Sequence, residues 1–238
     1  MIKELCKELF FFIKRPKEKN ITLHRKKKFL KNIKQFVLFD IFVSFISIVL
    51  LGGASMVFED LNEVIKTNNN FSGVPFLKQV FFLCLLFPLV EELIFRIGLK
   101  INRLNIAVYI GFQTMAILTI TEFLDRTSYI RLLFAVCVSI IVFFLLKEKQ
   151  LGFFRKNFRW FVYYNVLFFW LIHAGNYTYS YPHQYLYIPV ITLVPLILGV
   201  YLSYARITYG FVFAFFIHFL HNFTTTLIQF YLSWLILT

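Results

Sequence analysis

Apolar stretches of about 17 to 25 residues alternate along this chain with short polar or charged borders, the length needed to cross roughly 30 Å of hydrocarbon at about 1.5 Å per residue. The borders place spans near 36–58, 78–99, 105–121, 130–146, 160–176, 185–204, 207–223 and 225–237. Between the last two, Thr224-Thr225-Thr226 reads either as a turn or as a polar patch inside a longer bent helix; the span count takes the turn. The expected fold is all-α, a polytopic transmembrane helical bundle of about eight spans. Residues 1–35 precede it as a basic cytosolic or interfacial segment. There Ile2, Leu5, Leu9, Phe12 and Ile13 fall near helical spacing with Lys3, Lys7 and Glu8 between them, the pattern of a helix lying in the interface. Residues 36–238 form one transmembrane domain without an internal repeat, and its sizeable connections are 59–77 and 147–159.

Composition strengthens this picture. The 238 residues are 59% hydrophobic and 21% aromatic, more apolar surface than one soluble core of that size hides, so lipid is the expected solvent and membrane lipids the expected surroundings. A formal charge of +13 raises the question of nucleic acid, but its distribution answers no. Residues 1–35 hold 12 of the 25 Lys and Arg, including Arg25-Lys26-Lys27-Lys28, where juxtamembrane basic segments meet anionic head groups. Counted over alternate connections, 20 basic residues fall on one side and 4 on the other, with Arg96 left inside a span. By the positive-inside rule the protein is a multi-pass component of the cytoplasmic (inner) membrane with its N-terminus in the cytosol, and an even span count returns the C-terminus there. The uncharged 177–184 loop, carrying Tyr177, Tyr179 and Tyr181, reads as an outer interfacial segment. Nothing before residue 36 has the order of a cleaved signal peptide, so the first span is expected to be retained. Cys6, Cys84 and Cys137 show no metal or redox spacing and read as free thiols.

An ionisable group at membrane depth costs several kcal/mol unless it is paired or faces a wet cavity, so each one needs an account. Asp40 reads as a carboxylate reaching the interface near the basic end of the first span. The second span contains Pro88-Leu89-Val90-Glu91-Glu92-Leu93-Ile94-Phe95-Arg96. Glu92 and Arg96 are i, i+4 neighbours and can pair, whereas Glu91 is turned by about 100° to an adjacent face. It either joins the same ionic cluster or is left for chemistry. His173, in Phe169-Trp170-Leu171-Ile172-His173, lies near the end of the fifth span, where a lone histidine is more often a structural hydrogen-bonding residue. In the seventh, His218-Phe219-Leu220-His221-Asn222 puts His218 and Asn222 on one face as two donors, or as helix–helix glue. His221 reads as structural or interfacial. Counted from their flanking charges, Glu91, His218 and His173 lie about 14, 18 and 21 Å deep, compatible with one shared layer.

Taken together, EExxxR (Glu91, Glu92, Arg96), FxxxH (Phe169, His173) and HxxxN (His218, Asn222), in that order on separate spans, resemble the CPBP family of intramembrane proteases. That family includes the CAAX prenyl endopeptidases and bacterial proteins linked to bacteriocin processing or self-immunity. The likeness covers about 78–223. It implies an intramembrane endopeptidase acting on a membrane-associated peptide or protein. In it Glu91, helped by His173, activates water, and His218 with Asn222 stabilises the oxyanion, while Glu92, Arg96 and Phe169 are supports. General acid–base and oxyanion chemistry are compatible with those residue types. The expected mechanism uses no metal or other cofactor. Were Zn²⁺ used, Glu91, His173 and His218 would be the candidate ligands, although the HExxH pair is absent. There is no GxSxG elbow and no pair of membrane aspartates for an aspartyl dyad. The competing reading is a non-proteolytic membrane scaffold or bacteriocin self-immunity protein, in which the same residues only specify helix packing.

Overall fold

The computed structural model describes residues 2–17, 29–65, 74–121 and 129–237, and its regular elements are all helical, with no strand among the described residues. The order is α1 (Ile2–Lys14), α2 (Phe29–Val57), α3 (Leu61–Ile65), α4 (Phe76–Gln79), a π-helical segment (Val80–Leu86), α5 (Phe87–Phe95), a 3₁₀ turn (Ile97–Leu99), α6 (Arg103–Ile120) and α7 (Ile130–Leu145). There follow α8 (Glu148–Lys156), α9 (Phe158–Ala174), a 3₁₀ segment (Pro182–Tyr187), α10 (Ile188–Ile191), α11 (Leu193–Tyr209) and α12 (Phe211–Leu237). The run Arg25–Lys28 lies outside the described residues.

Among the described residues, three helices are long and apolar enough to cross a membrane: Asn32–Val57, Arg103–Ile120 and Phe211–Tyr231. Two bent pairs, Ile130–Leu145 with Glu148–Lys156 (104°) and Pro182–Ile191 with Leu193–Tyr209 (44°), raise the number to five where each pair counts as one span. Their outward faces suit hydrocarbon. On α2, Phe36, Phe39 and Val43 turn inward, whereas Phe42, Phe45, Ile48 and Val49 are exposed; on α7, Leu133, Ile140, Ile141 and Phe144 are exposed. The remaining predicted spans are shorter or interrupted. α9 has 17 residues, and the 76–95 stretch passes through α, π and α forms.

The structure corrects the reading of the C-terminal region. From residue 211 on, the predicted spans 207–223 and 225–237 are one helix, 27 residues long, and the preceding break lies at Gly210, whose φ of 104° is in the left-handed range that glycine enters without a Cβ penalty. Thr224-Thr225-Thr226 makes no turn: it stays helical, and the hydroxyls of Thr224 and Thr225 bond back along the helix. Thr224 Oγ1 donates to the Leu220 carbonyl at 2.9 Å, Thr225 Oγ1 donates to Asn222 O at 3.0 Å, and Cys84 Sγ reaches Thr226 Oγ1 at 3.6 Å. An even number of crossings therefore no longer follows.

The amphipathic spacing of α1 is used for docking. Leu5, Leu9 and Phe12 are buried against α2 and α11, Phe10, Phe11 and Ile13 face outward, and the Tyr204 hydroxyl donates to Glu8. Cys84 is buried, and Cys6 and Cys137 are exposed, all as free thiols.

The contact between α6 and α7 is made by small residues. A Cβ at Gly111 would lie 2.1 Å from Ser139 Oγ and 2.3 Å from the Ala135 carbonyl oxygen, so only glycine permits this approach. Gly111→Ala is expected to cost about 1–3 kcal/mol by overpacking. Thermal unfolding in detergent checks this, and an unchanged midpoint would reject the assignment.

At the far end of the bundle from α1, Asp60 anchors the segment before α10. Its Oδ1 accepts from the Tyr187 hydroxyl at 2.7 Å and its Oδ2 lies 2.6 Å from His183 Nε2. The bond from Tyr187, and after it that from His183, holds the Asp60 carboxyl below the usual carboxylate range. A depressed folded-state value means that the anchor is fully present above the ordinary carboxylate value and is lost as pH falls through the lower folded one. Amide-exchange protection over 182–191 is expected to be level from pH 7 to 5 and to fall below about pH 4. Asp60→Asn should flatten that dependence; a residual acid-induced loss in the variant would place the titrating group elsewhere.

Candidate functional site

The site is assembled on a helix that cannot run regularly. Pro88 has no N–H, and the seven residues before Phe87 wind as a π-helix in which Phe87 N–H bonds back to the Phe82 carbonyl. In that register the next carbonyl, Leu83 O, would need an N–H from Pro88. Asn222 of α12 supplies the donor instead, its Nδ2 lying 2.8 Å from Leu83 O. The other end of α5 is capped from outside as well. Gln113 Nε2 donates to Ile94 O at 2.7 Å, and the guanidinium of Arg206 donates to Arg96 O at 3.0 Å and Ile97 O at 3.1 Å. Arg206 is one of the 20 basic residues on the more charged side, by its place between two predicted spans. It is buried, and it fixes the turn that carries Arg96.

Between these anchors α5 presents its two carboxylates. Glu92 has 0% of its side chain exposed and Arg96 1%, and Arg96 Nη1 donates to Glu92 Oε1 at 2.9 Å, the i, i+4 pair expected from spacing. His218 joins them from α12, with Nδ1 3.0 Å from the same Oε1. Its other nitrogen, Nε2, lies 3.4 Å from Glu91 Oε2, within ion-pair range but outside hydrogen-bond alignment. Both ring nitrogens thus face carboxylate oxygens. A neutral imidazole has one N–H, so hydrogen bonds to both carboxylates at once would need the protonated ring. The two carboxylates differ in access: the Glu91 side chain is 28% exposed against 0% for Glu92.

Phe169 ties α9 to this set. The ring is fully buried, with the Arg96 guanidinium 3.9 Å from its centroid, the His173 ring at 4.3 Å and the His218 ring at 6.1 Å. His173 Nδ1 is 2.8 Å from the Phe169 carbonyl, which places the proton there and leaves Nε2 as the acceptor in the neutral ring. The structure therefore brings Glu91, Glu92, Arg96 and His218 into direct contact. His173 reaches them through the Phe169 ring, and Asn222 sits one turn along α12 with one amide hydrogen spent on Leu83 O. Among the described residues no group of three or more His, Cys, Asp or Glu is arranged to hold a metal ion. Of the candidate ligands, Glu91 and His218 face each other at 3.4 Å, while His173 has its Nδ1 on the Phe169 carbonyl.

A neighbouring set was missed in the sequence. Asp40 was expected at the interface, yet it is buried, with both oxygens 2.9 Å from His221 Nδ1 and Oδ1 accepting from the Tyr201 hydroxyl at 2.6 Å. The signal was present in part: His221 stands three residues after His218, and Asp40 is an acid within an apolar run. Neither names its partner on another helix.

Glu91 Oε2, Glu92 Oε2 and Arg96 Nη2 are buried without hydrogen-bond partners among the described residues. No protein-family model, curated protein or solved structure matches the chain.

Removing one partner of a buried pair leaves the other charge uncompensated, at about 3–5 kcal/mol. Glu92→Gln is therefore expected to lower the unfolding midpoint in detergent markedly, and Glu91→Gln to leave it nearly unchanged. Equal losses would show that Glu91 is as structural as Glu92.

Proposed function

We propose that this protein is an intramembrane endopeptidase, a multi-pass protein of the cytoplasmic membrane with a cytosolic N-terminus, acting on a membrane-associated peptide or protein. The observation that carries the reading is the asymmetry of the two carboxylates. Glu92 is sealed into an ion pair, while Glu91, against the same histidine, stays partly open and has an inward oxygen without a hydrogen bond. The order of the three motifs supports it as well.

In this mechanism Glu91 takes a proton from water as the oxygen attacks the scissile carbonyl carbon. The developing oxyanion accepts from the N–H of His218 and from the second amide hydrogen of Asn222. The C–N bond then breaks as the Glu91 carboxyl returns its proton to the amine nitrogen. Glu92 and Arg96 hold α5 and His218 in register, and Phe169 fixes the ring of His173, whose Nε2 is available as an acceptor beside the site. No step is routed through a metal.

A second reading, a non-proteolytic scaffold or self-immunity protein, has one observation in its favour: Asn222 and His218 already make bonds that hold helices together. The two readings separate in cells expressing the native protein or Glu91→Gln. Endopeptidase action predicts that a peptide product accumulates only with the native chain, although the variant inserts and folds equally well. Undiminished cleavage by a folded Glu91→Gln protein would reject the mechanism, and immunity or partner binding retained by it would favour the scaffold.

A further inference from the structure

Asp40, Tyr201 and His221 come from α2, α11 and α12 and meet at membrane depth, outside the set that the proposed mechanism uses. The Asp40 and His221 side chains keep 12% and 10% of their surface accessible, so the pair is enclosed without being sealed. The bond pattern defines the ring. With Nδ1 2.9 Å from both carboxylate oxygens, the proton of the neutral imidazole sits on Nδ1. Nε2 is left as a lone-pair acceptor on the side of the ring away from Asp40. The Tyr201 hydroxyl, donating at 2.6 Å, keeps the carboxylate from rotating. A carboxylate that fixes the tautomer of an imidazole, and offsets the charge when that imidazole is protonated, is the orienting arrangement of a general base.

The hydrolytic chemistry leaves work for such a base. The attacking water brings two protons. Glu91 takes the first and passes it to the amine as the C–N bond breaks, giving a neutral amine and a carboxylic acid. The second proton is still on the new acid. At neutral pH it must leave as the acid becomes carboxylate and the amine becomes ammonium, and hydrocarbon offers no bulk water to carry it. His221 lies on the helix that carries His218 and Asn222, at i+3 from His218, where side chains are neighbours about 5–6 Å apart at Cβ.

We infer that His221, held by Asp40 and Tyr201, is a second base of the proposed protease: its Nε2 takes the proton of the newly formed carboxylic acid and hands it to the departing amine. Each transfer breaks one O–H or N–H bond and forms another, no electrons change hands, and the imidazolium formed in between is balanced by the Asp40 carboxylate. Asp40 and Tyr201 are positioning residues that act through His221. The inference rests on the endopeptidase reading.

The test compares native protein, Asp40→Asn, Asp40→Glu, Tyr201→Phe and His221→Asn in nanodiscs, using the peptide cleaved by native protein and not by Glu91→Gln. Asp40→Asn and His221→Asn are expected to lower kcat about 10²-fold with little change in KM, the low end of a general acid–base contribution. Their pH–rate profiles should lose one limb, Tyr201→Phe should lose less, and Asp40→Glu should recover part of the rate. ¹⁵N spectra of the imidazoles provide a readout that needs no substrate: the Nδ1–H tautomer of His221 in native protein should be lost in Asp40→Asn. Cleavage by Asp40→Asn and His221→Asn within twofold of native would overturn the inference and leave the endopeptidase intact. So would an Nε2–H tautomer in native protein. A rate loss in Asp40→Asn that Asp40→Glu does not relieve, with the pH profile unmoved, would also overturn it and assign the pair to helix packing. Native protein that cleaves no peptide would remove both readings together.

Discussion

A carboxylate with no exposed surface must be paired, and the rest of this architecture is arranged around that demand at Glu92. One of its oxygens receives Arg96 from the next turn of its own helix and His218 from α12. The guanidinium in turn lies over Phe169 of α9, so a single buried charge fixes three helices against each other. The desolvation cost of such a pair is offset only when geometry is good and neighbouring groups are hydrogen-bonded. Here that condition is met from outside the helix. Arg206 and Gln113 hold the carbonyls of the last turn, and Asn222 holds the carbonyl that Pro88 leaves without a partner. The irregular winding of 80–86 and the regular pairing of Glu92 with Arg96 are thus parts of one arrangement. The proline loosens the helix just before the acids, and side chains from α6, α11 and α12 fasten it again.

How much of this was legible follows from which interactions run along the chain and which run between chain segments. Apolar runs with charged borders showed helices at 36–58, 105–121 and 130–146, and the structure has helices at Phe29–Val57, Arg103–Ile120 and Ile130–Leu145. The i, i+4 pairing of Glu92 with Arg96 was also readable, because an α-helix converts that spacing directly into contact. Thr224–Thr226 shows the limit. Three consecutive hydroxyls admit a turn or a helix, and within the helix Thr224 satisfies its hydroxyl at Leu220 O. The 44° bend between Pro182–Ile191 and Leu193–Tyr209 falls where Pro195 has no N–H for the Ile191 carbonyl.

Pairings between helices lie beyond a one-dimensional reading for the same reason. Asp40 is separated from His221 by most of the chain, and taken alone an acid a few turns into a span is best accounted for by reaching to the interface. Tyr201 carries no charge that would draw attention. Only when α2, α11 and α12 are side by side does the set become visible. The division between Glu91 and Glu92 was the opposite case, since two adjacent residues on a helix must face different ways. The structure turns that angular difference into one sealed carboxylate and one open one.

Stability alone does not account for what is assembled here. Well-packed apolar residues in place of a buried ion pair are often neutral or stabilising by about 1–4 kcal/mol, and at membrane depth the comparison favours apolar side chains further. Yet Asp40, Glu91, Glu92, Arg96, His173, His218 and His221 are gathered into two adjoining sets, and Glu91 Oε2, Glu92 Oε2 and Arg96 Nη2 remain without hydrogen-bond partners among the described residues. A network serving only to specify packing gains nothing from orphaned buried atoms, each of which costs about 1–3 kcal/mol. Under the proposed endopeptidase reading, Glu91 is the member of this set that an entering water would meet, since its side chain is 28% exposed whereas Glu92 and Arg96 are sealed.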